Sequence, residues 1–144
     1  MLKDKGLFDV NRNKSAPGFP NKYELQKDGR VVYDYASGLM WQQSGSTKSM
    51  TYENAKAYVE ASNSHNFAGY KDWRLPTLEE AMSLMESTEM NGGLYIDPTF
   101  DKQQQWIWTS DTYSASSAWV VVFGYGGCGY SFDFNYDSSV RAVR

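Results

Sequence analysis

Cysteine and histidine occur once each in this 144-residue chain, and proline only four times. The lone Cys128 excludes an intrachain disulfide framework, so the core must hold the fold unaided. His65 stands in a polar stretch without a second His or a Cys beside it, so a zinc site lacks its ligands. The net charge is only −3 and no long basic run occurs, so no nucleic-acid partner is expected. No apolar run approaches the ~18 residues of a membrane span. The first residues lack a basic-then-apolar leader pattern. Localisation therefore stays unassigned: the protein remains inside the cell, or a leader or larger protein has been removed. Catalytic motifs are missing too. There is no Gly-x-Ser-x-Gly and no phosphate loop, and the Gly124–Gly129 run has no helix after it and reads as a turn. Asp97, Asp101, Asp111, Asp133 and Asp137 are scattered, with no visible convergence of oxygen ligands for calcium. The expectation is a non-enzyme without metal or cofactor.

Aromatic residues are what the chain has in abundance: 16%, including 11 tyrosines. Tyrosine with glycine and serine suits recognition surfaces, because Tyr offers large contact area at low entropic cost. It equally suits an irregular β-rich core. The length fits one domain, large enough to bury a core. Residues 1–22, with Pro17, Gly18 and Pro20, read as an N-terminal tail or linker, and residues 23–144 as the domain.

Tyr23 to Tyr35 reads as a hairpin about Lys27-Asp28-Gly29, followed by a short strand Gly38-Leu39-Met40-Trp41. Thr51 can cap a helix over 51–64, whose Ala55, Tyr58, Val59 and Ser62 share a face. Thr77-Leu78-Glu79-Glu80 is a capping box that opens a second helix over 77–88, with Leu78, Ala81, Met82 and Met85 as its buried stripe. Strands are expected at 106–109, 119–123, 130–136 and 140–143. Helices first and strands afterwards predict an α+β fold, two helices packed on antiparallel sheet.

Three segments carry a family resemblance. They are Gly38-Leu39-Met40-Trp41, then Asp72-Trp73-Arg74-Leu75-Pro76-Thr77, then Trp106 to Ser110 with Ala118 to Phe123 and the closing Val140-Arg141-Ala142-Val143-Arg144. In this order they resemble the C-terminal domain family named after the Legionella collagen-like protein, from about Tyr23 to the end. The resemblance implies a C-type-lectin-like fold. Members of that family include binders of sulfated glycans and proteins fused to collagen-like stalks or kinases. Arg-Leu-Pro-Thr before a helix is also similar to formylglycine-generating enzymes, whose chemistry needs more reactive cysteines than this chain has. A trimerising role within a larger surface protein is a further possibility. The shared residues read as framework: Trp41, Trp73, Arg74, Trp108, Trp119 and Arg141, with Leu75 and Val121 also in the core. Asp72 and Arg74 are expected to pair, and Arg141 and Arg144 to tie the chain end to acidic loops or, alternatively, to meet a sulfated glycan.

After Trp108 there is no Lys, Glu, Gln, Met, His, Leu, Ile or Pro. Between Gly124 and Ser139 only Gly, Tyr, Cys, Ser, Phe, Asp and Asn occur. All have pyrimidine-ending codons within one or two changes of an Asn codon. This resembles the target region of a diversity-generating retroelement, whose variable proteins commonly use a C-type-lectin fold and vary just before its end. A fixed-specificity adhesin would show the same residues. Either way the ligand is a protein or glycan, and Asp111, Tyr113, Tyr125, Tyr130, Phe132, Asp133, Asn135 and Tyr136 are expected on one exposed surface. Tyr130, Phe132, Phe134 and Tyr136 alternate, as would one face of a strand.

Overall fold

The computed structural model describes residues 5–144, apart from the side chains at 129 and 130. Strands β1 (Tyr23–Gln26), β2 (Val31–Asp34) and β3 (Leu39–Gln42) form an antiparallel sheet in that order. The β1–β2 turn holds Lys27, Asp28 and Gly29 at φ of 54°, 59° and 80°. Glycine takes that left-handed region without steric cost, and aspartate tolerates it.

Helix α1 (Tyr52–Ser64) starts where expected: the Thr51 side chain accepts from the Asn54 amide. Tyr52, Ala55, Val59 and Ser62 are its buried face. Helix α2 (Leu78–Ser83) has the full capping box between Thr77 and Glu80. It is much shorter than the expected 77–88. Its buried stripe continues, since Leu84 and Met85 are fully buried. The backbone, however, leaves the helix when the Glu86 amide donates to Tyr95 O at 2.9 Å and Met90 donates to Leu94 O at 2.9 Å. A tertiary pairing there replaces helical hydrogen bonds that the spacing alone had favoured.

The second sheet comprises β4 (Trp106–Ser114), β5 (Ser117–Val122) and β6 (Gly127–Asp133), again antiparallel and in chain order. Its side chains alternate between two packed clusters. Ile107 and Val121 join Leu7, Trp41, Met82 and Phe123 on one side. Trp108 and Val120 join Tyr52, Val59, Trp73 and Val140 on the other. A sheet buried on both faces needs apolar residues at successive positions, which Val120-Val121-Val122 supplies.

Two strand expectations are corrected. The strand predicted to run to Tyr136 ends at Asp133: the Asp133 carboxylate accepts from the Asn135 amide at 2.9 Å, and the Tyr136 amide donates to Asp133 O at 2.9 Å. That local turn ends the alternation, as Asp side chains do when they bond the backbone two residues on. Residues 140–143 are not a strand of this sheet. The end of the chain stitches both sheets together. Ser139 exchanges hydrogen bonds with Trp106 and Trp108, and Arg144 exchanges two with Met40 at 2.8 and 2.9 Å. Val143 also exchanges two with Arg74 at 2.9 and 3.0 Å. The architecture is α+β, with two helices and antiparallel sheets.

The segment expected as a tail or linker is packed against this body. Leu7 and Phe8 belong to the first cluster. Asp9 is buried and accepts from the Cys128 amide at 3.0 Å.

Candidate functional site

The C-terminal half offers rigid support before it offers a surface. Trp41, Trp73 and Trp108 are buried as predicted, and Leu75 and Val121 with them. The Trp108 indole donates to Met50 O at 2.9 Å. Trp119 departs from the expectation. It is half-buried and belongs to neither cluster, with Arg12 over its ring at 5.3 Å and Tyr113 edge-on at 5.4 Å.

Arg141 is wholly buried. Its guanidinium donates to Gln42 O at 2.8 Å, Gln43 O, Asp101 O at 3.0 Å and Gln104 Oε1 at 3.1 Å. Burial lowers its pKa to about 9, and the ring of acceptor oxygens keeps it charged at neutral pH. Such a group ties the end of β3 and the 101–104 segment to the end of the chain and is out of reach of a sulfated ligand. The predicted Asp72–Arg74 pair is also corrected. Arg74 makes a bidentate contact with Glu80, both bonds 2.7 Å, and Asp72 pairs with Arg144 at 2.5 Å. Both arginines gain an even higher pKa from those carboxylates.

The eight expected surface residues fall into separate places. Asp111 is exposed, but its carboxylate accepts from the Leu78 amide at 2.5 Å, so it caps α2. Tyr113 is 64% exposed beside Trp119, near a cleft lined by Thr77, Leu78, Glu79 and Asp111. Tyr125 sits at the opposite end of β5, where its hydroxyl accepts from Asn11. Tyr130 pairs with Val120 through the backbone, and its side chain lies outside the described residues.

The remaining four residues lie on the Trp108 side of the sheet. Phe132 is half-buried against Trp106 at 5.2 Å and Trp108 at 6.1 Å. Tyr136, 61% exposed, meets Phe132 edge-on at 5.7 Å. Asp133 and Asn135 line a cleft of about 710 Å³ opposite Glu53, Lys56 and Glu60 of α1. Phe134, which also lines it, stacks on Tyr52 at 4.6 Å with the rings 9° apart. The seven whose side chains are described do not share one continuous surface, because alternation and the turn at Asp133 send them to both faces and both ends of the sheet.

A residue outside the expected set lies at the centre of the second group. Trp106, 40% exposed, borders a smaller cleft of about 350 Å³ with Gln103, Gln105, Phe132 and Asp137. Its period with Trp108 puts both on one face. Position at the margin of the sheet, invisible in that period, is what exposes it. Among the described residues, no group of His, Cys, Asp and Glu is placed to hold a metal ion.

A profile of the Lcl C-terminal domain matches residues 30–144. The chain belongs to this family. No curated protein matches it. The Lcl C-terminal match begins at Arg30, inside the first hairpin, so β1 and the packed Leu7 and Phe8 lie outside it. The matched region includes every one of the framework and surface residues discussed above. No helix among the described residues is long and apolar enough to cross a membrane.

Proposed function

We propose that this Lcl C-terminal domain is a non-enzymatic ligand-binding display module for a protein or glycan. Its working surface would be the Trp106–Phe132–Tyr136 side of the second sheet, continuing to Asp133 and Asn135. One observation carries the reading. Among the described residues, seven large hydrophobic side chains are exposed, and two of them, Trp106 and Tyr136, flank the half-buried Phe132 on one side of the second sheet, with ring centroids 5.2 and 5.7 Å from it. Exposed aromatics clustered on buried strands mark interaction sites more than isolated ones do. Beneath them Trp108, Ala118, Val120 and Val122 are almost wholly buried, which gives adaptable side chains a rigid base.

The restricted residue alphabet of 124–139 supports diversification by a retroelement as the origin of that surface. A fixed adhesin would use the same face. The formylglycine-type alternative receives no support from Cys128: burial and Asp9 push its thiol up to about 12, and it donates to Asp9 at 3.4 Å. A nucleophilic thiol needs the opposite environment.

The test is capture on glycan and protein arrays by the intact chain and by a library varied at Asp133, Asn135 and Tyr136. Changed or lost capture with unchanged melting is expected. Variants that all unfold, or an array on which neither the parent nor any variant captures a ligand, would refute the display reading. A reverse-transcriptase gene with an imperfect copy of the final coding segment beside this gene would establish diversification, and its absence would favour the adhesin.

A further inference from the structure

We propose that the cleft beside Trp106 is a site for an uncharged pyranose ring stacked on the Trp106 indole. The proposal rests on the display-module reading and names its ligand class. Trp106 and Phe132 stand 5.2 Å apart with their rings tilted by 40°, forming an apolar wall along the cleft. The C–H face of a sugar ring is the apolar surface of an otherwise polar ligand, and it matches an aromatic face. Around this wall the lining is polar, including Gln103, Gln105, Asp137 and Ser138. Glutamine amides both donate and accept, and a carboxylate accepts, so together they match the mixed hydroxyl pattern of a sugar.

Ser138 adds an independent indication. It is only 1% exposed, and its hydroxyl has no hydrogen-bond partner among the described residues. A buried polar group without a partner calls for an explanation, and a ligand hydroxyl at this cleft provides one. Charge narrows the class. Among the described residues no Lys, Arg or His lines the cleft, and Asp137 contributes a carboxylate. A sulfated or phosphorylated ligand would meet like charge without compensation, whereas a neutral ring would not. The volume of about 350 Å³ lies at the low end of the ~300–1,000 Å³ typical of small-ligand sites, fitting a short saccharide end and not a long chain.

The cleft also joins two kinds of sequence. Gln103, Gln105 and Trp106 precede the restricted-alphabet stretch, while Phe132, Asp137 and Ser138 lie within it. Trp106 and the amides of Gln103 and Gln105 therefore come from outside that stretch, and Phe132, Asp137 and Ser138 from within it.

The experiment is calorimetric titration of the intact chain with methyl glucoside, methyl mannoside, galactose and N-acetylglucosamine, with a heparin octasaccharide as the charged arm. At least one neutral sugar should bind at millimolar concentration. Trp106→Leu should weaken it roughly tenfold or more, the effect of losing an aromatic anchor. Because Trp106→Leu could disturb the sheet edge, the same sugar is followed by amide NMR on the unmodified chain. Shifts should centre on the Gln103 and Gln105 side chains and the Ser138 amide. No neutral binding, binding of heparin alone, or shifts elsewhere would overturn the sugar assignment. Array capture of a protein through Asn135 and Tyr136 would leave the display reading standing while this inference fell.

Discussion

Trp73 is held at three points. Asn63 accepts from its amide at 2.7 Å and donates to its carbonyl at 2.9 Å, and its indole donates to Phe67 O at 3.0 Å. Trp73→Ala would remove a 3%-exposed side chain. The expected loss is roughly 3–5 kcal/mol, readable by chemical denaturation, and an unchanged curve would take Trp73 out of the core. Carboxylates act at the same scale. Burial alone would raise the Asp9 pKa, but hydrogen bonds from the amides of Cys128, Arg12 and Asn11 together lower it. Asp72 is lowered mainly by its bond from Arg144. Glu80 is lowered as well, because Arg74 and Thr77 outweigh its burial. Groups with depressed folded pKa values stabilise the fold above their unfolded values, about 4, and lose that contribution as pH falls through the folded ones. Melting temperature should therefore be insensitive to these groups at neutral pH and drop below about pH 4. Asp9→Asn should flatten that acid drop, and an identical acid profile would show that Asp9 does not contribute to it.

Helix α2 is a single short element kept in place from outside itself. Its capping box satisfies the Thr77 and Glu80 amides, and Asp111 on β4 takes the Leu78 amide. Asp111→Ala should cost about 1 kcal/mol, as loss of a helix N-cap does, and leave ligand capture unaltered. Tyr136 belongs to the turn after β6, not to a strand. Tyr136→Ser should change stability by less than about 0.5 kcal/mol while altering capture. A melting scan of both variants beside the array assay separates the two roles. If Asp111→Ala changed capture without changing melting, Asp111 would be a ligand contact and not a cap.

On the scale of the whole molecule, the chain's two ends close the structure. Leu7 and Phe8 are 1% and 4% exposed in the same cluster as Trp41 and Met82, and Arg144 lies with its guanidinium 3.9 Å from the centre of the Tyr70 ring. Removing residues 1–22 should destabilise the domain by roughly 3 kcal/mol or more, since burying each such side chain contributes ~1.5–3 kcal/mol. Full retention of the melting temperature by the shortened chain would show that this segment is dispensable.

What was legible in the sequence was mostly local or periodic. Both helix starts followed from Thr51 and the Thr77–Glu80 box, because caps are set by neighbours within one turn. The first hairpin followed from Lys27-Asp28-Gly29, and Trp41, Trp73 and Trp108 were recognisable as core from apolar patterning and family motif together. The early end of α2, the partners of Asp72 and Arg74, the burial of Arg141 and the packing of Leu7 depend on segments tens of residues away. So does the candidate surface: Trp106 and Phe132 come from strands on either side of β5 and still meet, and Tyr136 reaches Phe132 from the turn that follows Asp133. Periodicity assigns a side chain to a face, but only the tertiary structure decides whether that face meets solvent, a helix or the end of the chain.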